Sequence, residues 1–171
     1  MKISDEYRIL NEALHGANPA YGTSGAKAAK DVMWAYGAVG ALNILDYGAG
    51  KGLLKSALPE EMDVREYDPA IPEMSAPPQP ADLVACTDVL EHIEPEYLAE
   101  VLEDINRLSL KGAYLSISCR QAKKFLADGR NAHLIVEKPM WWISKLSACF
   151  GGAVAGGFRF DQNNLIAWVQ K

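Results

Sequence analysis

The sequence predicts a single α/β domain with a mainly parallel sheet and helices on both of its faces. From residue 43 to residue 150, short apolar runs alternate with helical segments, which is typical of parallel strands joined by helices. A glycine cluster at residues 48–52 follows the first apolar run, at a position where such sheets bind ligands. Residues 153–170 predict a hairpin, which adds an antiparallel strand to the sheet.

The first forty residues predict two helices, separated by a loop at residues 15–25 that is rich in glycine, asparagine, proline and serine. Farther along, residues 95–110 give the clearest helical pattern, because apolar residues recur with a helical period and glutamates fall on the opposite side. The other predicted helices cover residues 26–39, 51–58 and 139–150, and the predicted strands cover residues 43–47, 63–67, 82–86, 113–118, 153–160 and 164–170.

The composition is that of an ordinary globular protein, with 49% apolar and 23% charged residues in a chain of 171. The net charge of −5 argues against general binding to a nucleic-acid backbone. The apolar runs are too short to span a bilayer and the N-terminus carries no apolar signal core, so we expect a cytoplasmic protein with no membrane partner. Three widely spaced cysteines without a CxxC pair predict buried apolar thiols, and we expect no metal ion.

Residues 46–52 (DYGAGKG) form the strongest motif, directly after an apolar strand and directly before a helix. Glycines let the backbone turn sharply and approach a ligand, and the helix adds a positive N-terminus. The motif is not a Walker loop, because Gly52 stands where Ser or Thr must follow Lys51. It is not a dinucleotide loop either, because Leu53 stands where GxGxxG needs its third small residue.

The remaining pattern, an acidic residue followed by Gly-x-Gly-x-Gly, resembles the first motif of class I S-adenosylmethionine-dependent methyltransferases. The family's second mark, an acidic residue at the end of the second strand, is matched by Asp68. Its third mark is matched by residues 87–92 (TDVLEH), which resemble the family's D-V-L-E-H sequence. The resemblance covers residues 43–130 and implies a Rossmann-like fold, S-adenosylmethionine as the cofactor and methyl transfer as the activity.

The resemblance also implies a cofactor site. The Asp68 carboxylate is expected to accept hydrogen bonds from the ribose hydroxyls. Asp46 is expected either to hold the loop and the cofactor's amino group or to cap the helix. We expect one domain, in which N-terminal helices at residues 1–40 precede an α/β core at residues 41–171. The loop at Tyr21 within this N-terminal part is either a lid over the cofactor or a simple turn. The expected cofactor-binding residues are Tyr21, Asp46, Gly48, Gly50, Gly52, Asp68 and Asp88.

One segment departs from the family pattern. Family members usually have a helix and a third strand after the second strand, but residues 69–81 contain five prolines. Proline is excluded from central strands and helix interiors, so the third strand and its preceding helix are expected to be truncated. The adenine contact then falls to Ile71, Met74 or the backbone near Asp88.

A basic segment follows the strand at residues 113–118. Residues 120–138 contain five Lys or Arg and two Asp or Glu, a net charge of +3 in a chain whose remainder is therefore −8. In the methyltransferase fold this segment lies over the substrate, so we expect a polar or anionic acceptor; a solvated surface with chance clustering is the alternative. The expected substrate-binding residues are Arg120, Lys123, Arg130 and Asn131.

Three residues are candidate catalytic groups. His133 follows a turn in the basic segment, and imidazole is the side chain that most readily takes and returns a proton near neutral pH, so it is either a general base or a structural histidine. Asp88 lies where cofactor and acceptor should meet. His92 is either catalytic or an anchor for the following helix.

These observations favour a methyltransferase that acts on oxygen or nitrogen of a small polar acceptor, for example a phosphorylated metabolite. A nucleic acid is a less favoured acceptor, because residues 87–90 lack the D/N-P-P-aromatic motif of amino-methylating members; ribose or modified-base methylation stays open. A third hypothesis, which the truncated segment motivates, is a catalytically idle cofactor-binding or partner subunit. A cleft lined by Arg120, Arg130 and His133 counts against that hypothesis. The sequence leaves the oligomeric state open.

Overall fold

The computed structural model describes residues 1–17, 24–151 and 157–171. The predicted lid loop with Tyr21, and the first four residues of the predicted strand at residues 153–160, lie outside the described residues. The helices are α1 (Asp5–Ala17), α2 (Gly25–Ala38), α3 (Leu53–Ala57), α4 (Leu98–Leu108) and α5 (Pro139–Cys149), and the strands are β1 (Asn43–Tyr47), β2 (Asp63–Tyr67), β3 (Ala81–Thr87), β4 (Ser109–Ser118), β5 (Gly157–Phe160) and β6 (Asn164–Gln170).

The described strands form one sheet in the order β2-β1-β3-β4-β6-β5. Strands β1 to β4 run parallel, and β6 pairs antiparallel with both β4 and β5. The predicted parallel sheet with an antiparallel C-terminal hairpin is therefore confirmed. The chain moves from β1 to β2 on one side and then returns to place β3 on the other side. This reversal opens a crevice at the carboxyl ends of β1 and β3, where ligands bind in sheets of this kind.

Helices cover both faces of the sheet, as predicted. On one face, α4 and α5 bury Val101, Ile105 and Trp142 against the sheet. On the other face, α2 and α3 bury Val32 and Leu54 against the sheet. Both layers follow from the alternation of side chains along the strands, because successive residues of a strand point to opposite faces.

Helix α4 shows how the sequence defines an element. Its apolar residues recur on one side and are buried, while its N-terminal side begins with a short 3₁₀ turn at Pro95–Tyr97. Proline is tolerated there because the first turn of a helix needs no donor from its backbone nitrogen. The predicted helix over residues 95–110 is two residues too long at its C-terminal end. There Ser109 is already extended and its hydroxyl donates to the Ile105 carbonyl at 2.9 Å.

The proline-rich segment between β2 and β3 contains a 3₁₀ turn at Pro72–Met74 and neither an α-helix nor a strand. The predicted truncation is therefore confirmed, and β2 lies at the edge of the sheet. The Met74 carbonyl accepts a hydrogen bond from the Asp68 backbone nitrogen at 3.0 Å, so the segment folds back onto the end of β2.

Candidate active site

A cavity of about 400 Å³ lies at the carboxyl ends of the parallel strands. Its floor is formed by the glycine loop after β1 and by the residues that follow β2 and β3. Helix α1, the start of α2 and the loop after β4 form its other walls. The volume falls in the range of about 300–1,000 Å³ that is usual for small-molecule sites. The lining residues that the argument uses are Gly48, Gly50, Asp68, Asp88, His92, His133, Arg120 and Lys123.

The glycine loop requires a backbone that other residues rarely adopt. Gly48, Gly50 and Gly52 have φ angles of 83°, 56° and 67°. A Cβ atom on Gly48 would lie 2.5 Å from Cγ2 of Val89, so the loop also passes too close to the β3 side of the cavity for a side chain. Gly48 and Gly50 line the cavity, whereas Gly52 starts α3 outside it. This geometry gives a bound molecule direct access to the loop backbone.

Asp68 joins the glycine loop to the end of β2. Its side chain is buried, and its two carboxylate oxygens each accept one backbone hydrogen bond at 3.0 Å, from Gly50 and Ala70. A carboxylate has about four acceptor positions, so these two bonds fix its orientation and leave capacity for further donors. Since Asp68 also lines the cavity, its position fits a group that binds neighbouring hydroxyls.

Asp46 lies beneath the glycine loop and, unlike Asp68, does not line the cavity. It is 1% exposed. Burial, together with the nearby Glu66 and Asp68 carboxylates, raises the pKa of Asp46 to about 7.

Asp88 has a left-handed backbone, with φ at 53°, the sole such non-glycine residue among those described. Ser116 of β4 holds it there: the Ser116 carbonyl accepts from the Asp88 backbone nitrogen at 2.9 Å, and the Ser116 hydroxyl donates to Asp88 Oδ1 at 3.1 Å. A strained backbone conformation that its neighbours fix is typical of functional sites. The result is a carboxylate held at the cavity between the two halves of the sheet.

His92 and His133 lie side by side in the cavity wall, although 41 positions separate them in the chain. Their rings meet edge to face with centroids 4.7 Å apart. His92 Nδ1 lies 2.7 Å from the Ala132 carbonyl oxygen, and His133 Nδ1 lies 2.5 Å from that of Arg120. A carbonyl can only accept, so both rings carry their proton on Nδ1 when neutral and have their lone pair on Nε2.

The cavity is rich in positive charge. Arg120 and Lys123, two of the candidate substrate-binding residues, line it. Three lysines that were not candidates line it as well: Lys2, Lys27 and Lys124. Lys27 belongs to α2, so its position depends on how that helix packs onto the sheet. Desolvation and the neighbouring Lys51 lower the pKa of Lys124.

No protein-family model matches the chain, and no curated protein matches it by sequence. Solved structures do match it. The Burkholderia thailandensis 1,6-didemethyltoxoflavin-N1-methyltransferase, with 1,6-didemethyltoxoflavin and S-adenosylhomocysteine bound, is 16% identical, with a TM-score of 0.65 over 100% of this chain and 91% of that one. The DhpI–SAH complex is 18% identical, with a TM-score of 0.62 over 96% and 93%. The magnesium protoporphyrin IX methyltransferase of Synechocystis PCC 6803, with SAM bound, is 14% identical, with a TM-score of 0.58 over 100% of both chains.

The chain has the class I methyltransferase fold. The resemblance seen in its three motifs thus extends to its architecture. Among the described residues of this methyltransferase fold, the helices are too short or too polar to cross a membrane.

Two residues of the basic segment that were expected to bind the substrate lie outside the cavity. Arg130 does not line the cavity, because its guanidinium pairs with Asp128 at 2.6 Å and with Glu6 at 3.7 Å. Asn131 does not line it either. Its amide bonds to the Ala122 backbone nitrogen and carbonyl, both at 2.9 Å, and its oxygen accepts from the His133 backbone nitrogen at 3.0 Å. Asn131 therefore shapes the loop that presents His133.

Two glutamates beside the cavity were not among the candidate site residues. Glu94 accepts hydrogen bonds from the backbone nitrogen and the hydroxyl of Ser4, at 2.8 Å and 2.6 Å, and so fixes the start of α1 against the cavity. Glu91 is fully buried behind His92. Glu91 lies within the D-V-L-E-H match and Glu94 lies two residues after it, so a search for carboxylates next to the candidate histidines would have found them.

Proposed function

We propose that the protein transfers a methyl group from S-adenosylmethionine to oxygen or nitrogen of a small, anionic acceptor. The observation that carries this proposal is a single cavity with two unlike sides. One side has the glycine loop and Asp68. The other has Asp88, two histidines and the basic segment. The cleft contains Arg120 and His133, which counts against an idle subunit, although Arg130 lies outside it.

The cofactor side is assigned to Gly48, Gly50 and Asp68. The loop glycines admit the cofactor to the backbone, and the spare acceptor capacity of the Asp68 carboxylate binds the ribose hydroxyls. Asp46 and Gly52 support the loop from behind. The bound cofactor supplies an activated methyl group on a sulfonium centre. Asp88 is assigned to the boundary between cofactor and acceptor, because it lines the cavity directly after β3, the strand beside β1.

The acceptor side is assigned to Arg120, Lys123, His92 and His133. The two cations attract an anionic group and orient the acceptor. Alignment of the reacting atoms and exclusion of water are the main requirements of this displacement. When the acceptor is a hydroxyl it must also lose a proton. His133 is the candidate general base, because its Nε2 carries the lone pair when the ring is neutral.

The first experiment is calorimetric titration of the full chain with S-adenosylmethionine. We expect micromolar binding that Asp68→Asn weakens by about tenfold or more, because the amide replaces a charged acceptor by a weaker one. Asp63→Asn is the matched control: it makes the same change on an exposed carboxylate at the opposite end of β2. Equal affinities for the wild type and Asp68→Asn, or no binding at millimolar cofactor, would contradict the assignment.

The acceptor class is tested with methyl-labelled cofactor and matched pairs of metabolites with and without a phosphate group. We expect label to be transferred to the phosphorylated member of each pair. Transfer to its unphosphorylated partner should be much slower. A preference for the neutral partners would overturn the anionic assignment while leaving the cofactor assignment intact.

A further inference from the structure

Three side chains at the inner wall of the cavity converge on one point. A carboxylate oxygen of Glu91 and one ring nitrogen each of His92 and His133 lie within 4.8 Å of one another. Glu91 and His92 are adjacent on the 3₁₀ turn Leu90–His92 after β3, and His133 comes from the loop after β4. Ligand atoms about 2.1 Å from one tetrahedral ion lie about 3.4 Å apart, so side-chain shifts of up to about 1.4 Å would bring these three atoms to coordination distance.

Glu91 lacks a full set of partners for a buried carboxylate. The residue is 0% exposed. Its Oε1 accepts a hydrogen bond from the Ser118 backbone nitrogen at 2.7 Å, whereas its Oε2 is buried with no hydrogen-bond partner. A buried charge is costly unless it is paired or coordinates a metal. The unpartnered Oε2 therefore leaves room for a cation at this buried carboxylate.

Both histidines are held as metal ligands usually are. Each directs Nδ1 at a backbone carbonyl, that of Ala132 for His92 and that of Arg120 for His133. Such a bond fixes the tautomer and the ring orientation, and it leaves Nε2 as the nitrogen that can bind a metal. The loop that carries His133 is itself fixed to this site, because the Glu91 carbonyl accepts from the Ile135 backbone nitrogen at 3.0 Å.

We propose that Glu91, His92 and His133 bind one divalent transition-metal ion whose remaining coordination positions open into the cavity. The histidines line the cavity and Glu91 lies behind them, so the ion would lie between the core and the open space. Two imidazole nitrogens and one carboxylate oxygen suit Zn²⁺, Co²⁺, Fe²⁺ or Mn²⁺ better than Mg²⁺ or Ca²⁺. The expectation of no metal ion followed from cysteine spacing, which does not report on a Glu–His–His set.

The role of the ion, though not its binding, rests on the proposed function. An acceptor hydroxyl that takes an open position on the ion loses its proton to water more easily. Its oxygen then forms a bond to the methyl carbon as the carbon–sulfur bond breaks. The electron pair of that bond stays on sulfur, which becomes a neutral thioether, and the oxidation state of the ion does not change. With the ion bound, His133 acts as a ligand, and water takes the acceptor's proton in its place.

The test is titration of the chelator-stripped, tag-free full chain with Co²⁺, followed by visible absorption. We expect one ion per chain with a spectrum of nitrogen and oxygen ligands. We expect Glu91→Gln and His133→Ala each to weaken binding by about tenfold or more. Glu137→Gln is the matched control, since it makes the same change on an exposed carboxylate four positions after His133, and it should bind as the wild type does. Circular dichroism checks that each variant is folded.

Three results would overturn the metal site: binding well below one ion per chain at millimolar Co²⁺, a spectrum dominated by thiolate ligands, or unchanged affinity in both Glu91→Gln and His133→Ala. Titration of the same samples with S-adenosylmethionine separates the two proposals. Cofactor binding without metal binding would overturn the metal site and leave the proposed methyltransferase, with His133 as its base. Metal binding without cofactor binding would overturn the proposed function and leave the metal site.

Discussion

At the scale of single residues, Asp46 makes the fold sensitive to pH. Its pKa is raised to about 7 by burial and by Glu66 and Asp68, whereas an unfolded aspartate titrates near 3.9. Between these values the folded chain binds more protons than the unfolded chain. The stabilisation from protonated Asp46 is therefore fully present below about pH 4 and is lost as the pH rises through about 7.

Asp46→Asn removes this titration while keeping a neutral side chain of similar size. We expect the melting temperature of Asp46→Asn, relative to the wild type, to rise between pH 5 and pH 8. A differential of about 2 kcal/mol corresponds to roughly 5 °C for a chain of this length. Thermal melts without cofactor measure it. Asp63→Asn, on an exposed carboxylate, should run parallel to the wild type, and a parallel curve for Asp46→Asn would contradict the argument.

The sequence located the site residues that follow strands and missed those that depend on packing. Gly48, Asp68 and Asp88 come directly after β1, β2 and β3, and the carboxyl ends of parallel strands share one edge of the sheet. Lys27 lies on a helix, and its place over the cavity is decided by tertiary contacts. The partnership of Glu91 with His133 spans 42 positions and two loops, so no local pattern reports it.

At the scale of elements, the glycine loop is fixed by what surrounds it. We expect Gly48→Ala to destabilise the fold by about 2 kcal/mol or more. An alanine there must adopt a positive φ, and its Cβ would lie 2.5 Å from Val89 Cγ2. Denaturant unfolding measures the loss. Gly37→Ala is the control, because a Cβ at this position in α2 meets no atom within 4 Å and alanine favours a helix.

The steric clash with Val89 and the backbone strain at residue 48 can be measured separately. In the double variant Gly48→Ala, Val89→Ala the branched side chain is gone, so part of the lost stability should return relative to Val89→Ala alone. If the loss from Gly48→Ala is the same in both backgrounds, Val89 does not set the shape of the loop.

The boundaries of this helix were less predictable from the sequence than its presence. Helix α3 begins only at Leu53, because the left-handed backbone at Gly50 and Gly52 delays the helix.

At the scale of the whole molecule, charge is distributed unevenly. The chain carries a net charge of −5, yet among the described residues the cavity is lined by five Lys or Arg against three Asp or Glu. The cavity cations are Lys2, Lys27, Arg120, Lys123 and Lys124, and the carboxylates are Asp68, Asp88 and Glu94. A concave site of this sign, set in an acidic molecule, concentrates small anions.

Inorganic phosphate is a probe for this field. We expect its affinity to fall as NaCl rises from 50 to 500 mM, because the Debye length shrinks from about 14 Å to about 4 Å over that range. We expect Lys123→Gln to weaken phosphate binding several-fold at low salt, since the charge removed lies at the cavity wall. Lys30→Gln, on an exposed α2 lysine outside the lining, removes the same charge from the molecule as a whole. Equal losses from the two variants would mean that net charge, and not a focused cavity, attracts the anion.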